Sequence, residues 1–529
     1  MLTPFILVLV AASVAALALR RVLTCSLLQR LPLPPGPKPL PFVGNLFQIP
    51  SEGRIKQFTQ WRQTYGDVVY FHACGREFVV LNSASAAIDL LDKRGTLYSD
   101  RPYSTMASIL VGRWKSLLQL RYGERFRISR KHMRNALNAR TIAESLGFQE
   151  DESVRLLQAL LVTPEQFPAH IRRNVGAVSL NLTYGYRLYE GDGYLLTLAE
   201  EFSRTTGDAL ASGRWLVDIF PWLRYVPSWM PGAHFKRWAQ WAHRRCEELV
   251  DAPYDYVKTR IAEGNATSCF TSRALEALRK ETRKTPTLED EDIIKNVATS
   301  LYTAGTDTVS NPGSACKMAH IAVCQTVAML SSFILMMVCH PDIQRKAQAE
   351  IDKVTGGTRL PTHADQDKLP YMECVIKELH RYNPVAPFVP HSVMQDDEYR
   401  GFRIPKGAWV GANTWAILRD PEIYSEPERF NPDRLMNDEK HTPQRDPREF
   451  SFGLGRHRCP GVMLAASTLF IVVSRTLAVF DILKPVDELG QEYMPSMEFT
   501  SDNIVYPKPF KCRILPRSTE AIAIIQHHS

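Results

Sequence analysis

The chain opens with eighteen residues, Leu2 to Leu19, in which no charge interrupts an apolar run, and Arg20-Arg21 close it. At about 1.5 Å per residue a helix of that length spans roughly 27 Å, enough for a thin bilayer. A cleaved signal peptide is the alternative. Against it, the basic pair follows the apolar run instead of preceding it, and the small residues Ala16 and Ala18 lie inside the run. Residues 1–20 therefore read as a transmembrane signal anchor. Arg20, Arg21 and Arg30 behind it place the rest of the chain in the cytosol by the positive-inside rule. Residues 21–45 read as a basic, proline-rich linker: seven of the eleven residues from Leu31 to Pro41 are Pro or Gly. Proline fixes φ and removes donors, so this stretch is expected to be a stiff extended spacer.

Further on, polar and apolar positions alternate from Asp67 to Cys74, Gly75-Arg76 reads as a turn, and Glu77 to Leu81 continues the alternation, which predicts a β-hairpin. The period then changes. Ala84 to Lys93, Glu144 to Leu161 and His234 to Ile261 carry apolar residues three and four apart and predict helices, while strand signals return at Tyr399 to Val410. No internal repeat appears. Residues 46–529 read as one large, mainly α domain with small β-sheets at its edges. Arg214 to Gly232 holds Trp215, Trp222 and Trp229 among Phe, Tyr and Pro. Such a stretch is either buried core or a flap at a membrane interface, where Trp and Tyr accumulate.

Composition narrows the class. The 529 residues are 45% hydrophobic, 23% charged and 10% aromatic, which excludes a disordered, collagenous or coiled-coil chain. A net charge of +8 over this length is too dilute to imply nucleic acid. The ten cysteines form no CxxC pair, which argues against a zinc ribbon and a dense disulfide scaffold.

One cysteine stands apart. Residues 450 to 461 read Phe-Ser-Phe-Gly-Leu-Gly-Arg-His-Arg-Cys-Pro-Gly, with a helical apolar run from Val462 to Phe480 behind them. Arg456, His457 and Arg458 flank Cys459, and the helix N-terminus follows it; both favour thiolate. The glycines let the backbone come close to a flat partner. The segment resembles the haem-binding signature of the cytochrome P-450 family, Phe-x-x-Gly-x-Arg/His-x-Cys-x-Gly, at Phe452, Gly455, His457, Cys459 and Gly461. The resemblance implies that Cys459 is the axial ligand of a haem b iron, where thiolate ligation favours O–O cleavage. It also gives His457 a hydrogen bond to a haem propionate. Most members have arginine there, so the clamp is weaker and pH-sensitive.

Three further stretches carry the same resemblance. Glu378-Leu-His-Arg381 sits in a helical run. By spacing alone it is a surface ion pair, whereas the family pattern makes it a buried structural network whose third member, from Phe430-Asn-Pro-Asp-Arg434, is Arg434. Arg125-Phe-Arg-Ile-Ser-Arg130 matches Trp-x-x-x-Arg with Phe126 in place of tryptophan. Arg130 then meets a propionate, and the indole donor is lost. Ala304-Gly305-Thr-Asp307-Thr308 matches the oxygen-activation motif: small residues leave space over the haem, and the acid–hydroxyl pair relays protons.

The resemblance implies the cytochrome P-450 fold, a single catalytic domain behind the N-terminal transmembrane helix, on the endoplasmic reticulum membrane and facing the cytosol. The implied activity is that of a microsomal monooxygenase similar to fungal members of secondary metabolism and xenobiotic oxidation. Its substrates are O2 and a hydrophobic small molecule. No nucleotide-binding glycine motif follows a strand, so electrons are expected from a separate NADPH–cytochrome reductase, docked on basic groups such as Arg456 and Arg458. Two rival classes are a haem-thiolate isomerase or dehydratase, and a haem-deficient membrane protein. Expected lining segments are Tyr98 to Arg121, the aromatic stretch, Val385 to Val389 and Met497 to Thr500.

Behind Thr308 the pattern breaks. Residues 309–325 contain Pro312-Gly313 between two strongly helical segments. Removing these seventeen residues joins Thr308 to Thr326-Val327 and keeps Ile294, Val297, Leu301, Thr308, Met329 and Phe333 on one stripe. A helical insert of that length would turn the stripe by roughly 260°. Val309-Ser310 can be encoded by GTAAGT, Ala319-His320 permits CTCAC, and Gln325 can be CAG, the marks of a 51-nucleotide intron at three nucleotides per residue. The segment reads as a retained intron; a loop bulging from the helix is the alternative.

Overall fold

Two helices that are apolar on every side occupy the centre, as such helices must in water. The computed structural model describes residues 31–527 except 51, 189–192, 212, 283–286, 306–324, 440 and 501–503. The anchor 1–20, the linker up to residue 30, and Asp307, Thr308 and 309–324 lie outside the described residues. In chain order the main elements are α1 (Arg54–Tyr65), β1 (Val68–Ala73), β2 (Arg76–Leu81), α2 (Glu124–Ala136), α3 (Ala139–Val162), α4 (Phe167–Tyr184), α5 (Tyr194–Leu210), α6 (His234–Ala262), α7 (Phe270–Thr282), α8 (Leu288–Gly305), α9 (Gln325–Cys339), α10 (Pro341–Thr355) and α11 (Pro370–Tyr382). Then come β3 (His391–Ser392), β4 (Asp397–Tyr399), β5 (Phe402–Ile404), β6 (Trp409–Ala412), α12 (Val462–Val479), β7 (Phe480–Leu483), β8 (Arg513–Pro516) and α13 (Thr519–His527).

The central pair is α9 and α12. Both pack against each other, with α3, α10 and α11 around α12 and α4 beside α9. Their apolar side chains, from Val327 to Val338 and Leu469 to Val479, form one buried cluster. Among the described residues α12 is long and apolar enough to cross a bilayer, yet most of it is enclosed by protein, so it is a core helix. A second cluster joins α2, α4, α5, α6, α7 and α8. Between them, α8 runs along α4 and against α2.

The sheet sits at one edge in the order β1-β2-β6-β3, with β2 and β6 parallel and the other pairs antiparallel. The hairpin falls where alternation predicts it, but its two-residue turn is Cys74-Gly75, both at positive φ, one residue earlier than Gly75-Arg76. Positive φ at both centres matches the twist of a tight hairpin. The described part of the proline stretch is no free spacer. Pro35 accepts from the Tyr70 backbone at 3.0 Å and Pro32 from Arg403 at 2.8 Å, so it is docked on the strands.

The Glu378 network is buried, not a surface pair. Arg381 donates Nε and Nη2 to the two Glu378 oxygens at 2.8 and 2.9 Å, and neither side chain is exposed. Arg434 Nε joins the same carboxylate at 3.3 Å. The remaining arginine donors go to the carbonyls of Leu418, Pro427 and Arg429. Arg429 thus enters through its carbonyl, while its charged head pairs with exposed Glu426. This closed web ties α11 to the long loop that leads to Cys459.

Candidate active site

The loop from Phe450 to Gly461 is held shape-first. Phe450 and Phe452 are buried, and the Cys459 N–H donates to the Phe452 carbonyl at 2.8 Å, closing the loop on itself. Gly455 stands at φ +62°, and a Cβ there would lie 2.0 Å from the Leu91 carbonyl oxygen. The close approach that this glycine permits is therefore to backbone, not to a flat ligand. Gly461 caps α12, and a Cβ on it would sit 3.7 Å from the Cys459 sulphur.

Cys459 borders a cavity of about 660 Å³. It is largely buried and borders that space. Burial pushes its thiol above the ordinary value, against the Gly461 backbone N–H, Arg130 and Arg458, which pull down. The flanking charges expected to favour thiolate thus lose to desolvation, and a thiolate here needs a further positive centre at the sulphur.

Phe126, Arg130, Phe452, His457 and Gly461 share the lining with Cys459. Arg130 donates to the Arg458 carbonyl at 2.7 Å. The Phe126 ring lies 4.7 Å from that of His457. His457 gives its Nε2–H to the Ser99 carbonyl at 2.8 Å, and burial with Arg101 and His391 beside it holds the ring neutral. It has no second N–H for a carboxylate until Nδ1 protonates. Ala304 and Gly305 are placed as the end of α8.

Sequence reasoning did not single out two neighbours. Arg101 is buried, donates one hydrogen bond to the Pro390 carbonyl at 3.1 Å, and leaves Nε without a partner. Burial, and then Arg130, push it down to about 10. His391 donates Nδ1–H to the Tyr98 carbonyl at 2.7 Å and packs on His457. No periodicity marks either residue; the one hint is that Arg101 falls inside the expected lining segment Tyr98 to Arg121. That segment, the stretch around Asp218 and Ile219, and Ala386 to Pro390 do line the cavity, whereas Ile504 takes the place expected for Met497 to Thr500.

Two arginines, neither paired with a carboxylate among the described residues, gather with two neutral histidines at the cavity end that holds the sulphur. Unpaired buried charge is costly, so the arrangement suits a ligand bearing more than one carboxylate. Among the described residues no three His, Cys, Asp or Glu side chains converge as a metal cage. A metal at Cys459 therefore has to bring its own remaining ligands. A porphyrin with two propionates meets both conditions, and the site is that of a haem-thiolate protein.

Comparison with known proteins agrees. The chain belongs to the cytochrome P450 family, whose sequence model, Cytochrome P450, matches residues 34–501. It is 41% identical over 503 residues to Cytochrome P450 monooxygenase 208 of Postia placenta, covering 94% of this chain and 92% of that one. Cytochrome P450 monooxygenase claR of Ampulloclitocybe clavipes is 38% identical, covering 94% and 89%. Tryptamine 4-monooxygenase of Psilocybe cyanescens is 39% identical, covering 93% and 95%. The chain is a P450 monooxygenase, and its family implies haem iron with a cysteine thiolate ligand.

One prediction concerns His380, which packs on Phe452 outside the cavity lining and is pushed by burial down to about 3 from 6.5. A histidine kept neutral in the fold takes up its proton only on unfolding, so stability is full above pH 6.5 and falls as pH drops toward 3. Between about pH 5.5 and 4 His380 contributes about 1.4 kcal/mol of lost stability per pH unit. Denaturant midpoints measured across that window are expected to show it, and His380→Gln to flatten the slope by that amount.

Proposed function

We propose that this chain is a membrane-anchored monooxygenase that inserts one oxygen atom of O2 into a hydrophobic small molecule, with Cys459 as the axial thiolate and electrons from a separate NADPH-dependent reductase. The carrying observation is the buried Cys459 beneath a cavity whose near wall holds cations without carboxylate partners. A haem held there would supply the activation of O2, with its electrons coming from the reductase. The chain's own groups do the rest. The Gly461 N–H and Arg130 favour the sulphur's charge, Arg101 and Arg130 would hold the propionates, and His457 would stand beside them as a neutral ring. Phe126 fills the space of an indole but gives no donor. Apolar walls exclude water. The Asp307 carboxylate and Thr308 hydroxyl, beyond the end of α8, carry protons to the reacting oxygen.

The reductase reading is supported by Arg456 and Arg458, exposed beside the Cys459 loop, and by Arg127, Lys131 and Arg134 on the outer face of α2. An acidic partner suits such a surface. A haem-thiolate isomerase would need neither O2 nor reductase. Membrane residence in the endoplasmic reticulum is supported by residues 1–20 and by the aromatic stretch. Trp215 is buried against Trp238, but Trp222, Tyr225 and Trp229 are exposed, as are Phe42 and Phe47. Leu46 and Ile219 from these two segments line the same cavity, so an apolar ligand in the bilayer would find its entrance there.

Residues 309–325 are proposed to be a retained intron. Leu301 and Thr303 at the end of α8 and Thr326 at the start of α9 border one cavity, and both helices pack on α4. Ile294, Val297, Leu301, Met329 and Phe333 are all buried, as a single stripe requires.

Three outcomes are expected. Cys459→Ala abolishes the reduced carbon monoxide band and NADPH-dependent turnover; a normal band in the variant sinks the ligand assignment. Deleting residues 1–30 weakens membrane association in carbonate fractionation while the band persists. Transcript sequencing finds a dominant message without the 51 nucleotides; a dominant message containing them, with an active 529-residue enzyme, refutes the intron.

A further inference from the structure

The cavity wall carries one cation that neither the loop around Cys459 nor any carboxylate accounts for. Arg113 opens the short turn Arg113–Lys115 behind a left-handed Gly112. It lines the cavity and is only 7% exposed. Its guanidinium lies over the Phe202 ring, 3.8 Å from the centroid. It donates one hydrogen bond, from Nη2 to Ser116 Oγ at 3.3 Å, and Nε has no partner. The segment is bolted down. Lys115 pairs with Asp292 of α8 at 2.8 Å, and the Leu117 N–H reaches Ser300 Oγ at 3.3 Å. Arg113 is therefore fixed where it stands. Stacking on an aromatic face offsets part of the cost of burying a guanidinium, but it leaves the fork unsatisfied.

The other arginines on the described wall are Arg54, Arg76, Arg101 and Arg130. Arg76 donates to the Asp218 carbonyl and lies over Trp409. Arg101 and Arg130 stand at the Cys459 end. Asp218, the one acid among the lining residues, accepts from Ser104 Oγ and the Met106 N–H, both at 3.0 Å. Among the described lining residues a ligand amine thus meets no free carboxylate, while a ligand anion meets a free fork. Much of the remaining wall is apolar, including Leu117, Val178, Leu210, Leu301 and Phe388.

We infer that Arg113 is a specificity-determining residue: it pairs with a carboxylate on an otherwise hydrophobic substrate and orients that substrate over the haem. The inference rests on the monooxygenase reading above and names the substrate class for that same cavity. A planar fork matches a carboxylate in two hydrogen bonds, which a lysine cannot reproduce.

The test uses the full-length chain with its haem and two probes, naphthalene-1-acetate and its methyl ester. Binding is read by the Soret spin-state shift and, independently of the haem spectrum, by equilibrium dialysis. The expected result is that the acid binds about ten- to a hundredfold tighter than the ester, the size of a charge-assisted hydrogen bond. Arg113→Gln should bring the acid down to the ester's affinity and leave the ester unchanged, while Arg113→Lys keeps part of the preference. An acid no tighter than the ester, neither probe bound, or a preference that survives Arg113→Gln overturns the inference. Should Arg113→Gln fail to fold, Arg113→Lys and the acid-to-ester ratio of the unaltered chain decide. The reduced carbon monoxide band separates the two readings. Its absence from the unaltered chain counts against the haem-thiolate assignment, whereas the dialysis ratio still decides on Arg113.

Discussion

Positive charge buried without negative charge is the constraint around which the site is built. Arg101 and Arg130 are brought to one end of a cavity beside the neutral rings of His391 and His457, and each of the four is held by a backbone carbonyl: those of Pro390, Arg458, Tyr98 and Ser99. A carbonyl accepts a hydrogen bond but carries no net charge, so it positions a cation without neutralising it. A carboxylate in the same place would have bound the arginine more tightly and spoiled the site for an anionic ligand. The free energy that these contacts leave unrecovered becomes binding energy when the ligand's carboxylates arrive. The buried Cys459 poses the complementary problem, since its thiolate needs a cation that the protein does not supply in full.

Such a site needs a rigid frame, because unpaired charges would otherwise turn toward water. Three chain segments supply the carbonyls, and each is fixed by a different part of the fold. Ser99 and Tyr98 precede the stretch bolted to α8, Pro390 leads into β3, and Arg458 belongs to the loop that Phe452 closes. The apolar helices α9 and α12 give that frame its stiffness. Their burial also explains why α12, long and apolar as it is, is a core element and no membrane span.

What could be read in the sequence follows from how local each feature is. The Cys459 loop, α12 and the β-hairpin are specified by contiguous residues, and all are found where the pattern puts them. Glu378, Arg381 and Arg434 lie in two segments. Spacing alone suggested an exposed pair, because i, i+3 periodicity says nothing about what covers a helix face. Arg101 and His391 stayed hidden because nothing near them in the chain distinguishes an arginine that will lose all its solvent. The three tryptophans of the aromatic stretch divide for the same reason: Trp215 finds Trp238 on α6, while Trp222 and Trp229 find no cover. The flanking charges of Cys459 are legible in the sequence, whereas the opposing desolvation depends on the fold as a whole.

The buried charges therefore fall into two kinds. In the network of Glu378, Arg381 and Arg434, one carboxylate bridges both arginines and the further donors of Arg381 end on carbonyls, so the hydrogen bonds of Arg381 are satisfied within the network although it keeps a net charge of +1. Removing one member leaves an uncompensated charge in the interior, so the network acts on stability and not on chemistry. Arg101 and Arg113 are buried to a similar degree, but each keeps an Nε without a partner and each borders the cavity. An open fork beside a cavity offers donors that a ligand can complete. Arg101 faces the end occupied by the sulphur, and Arg113 stands on the wall above Phe202, so the same physical reasoning assigns them to different ligands: the first to the cofactor's carboxylates, the second to the substrate's.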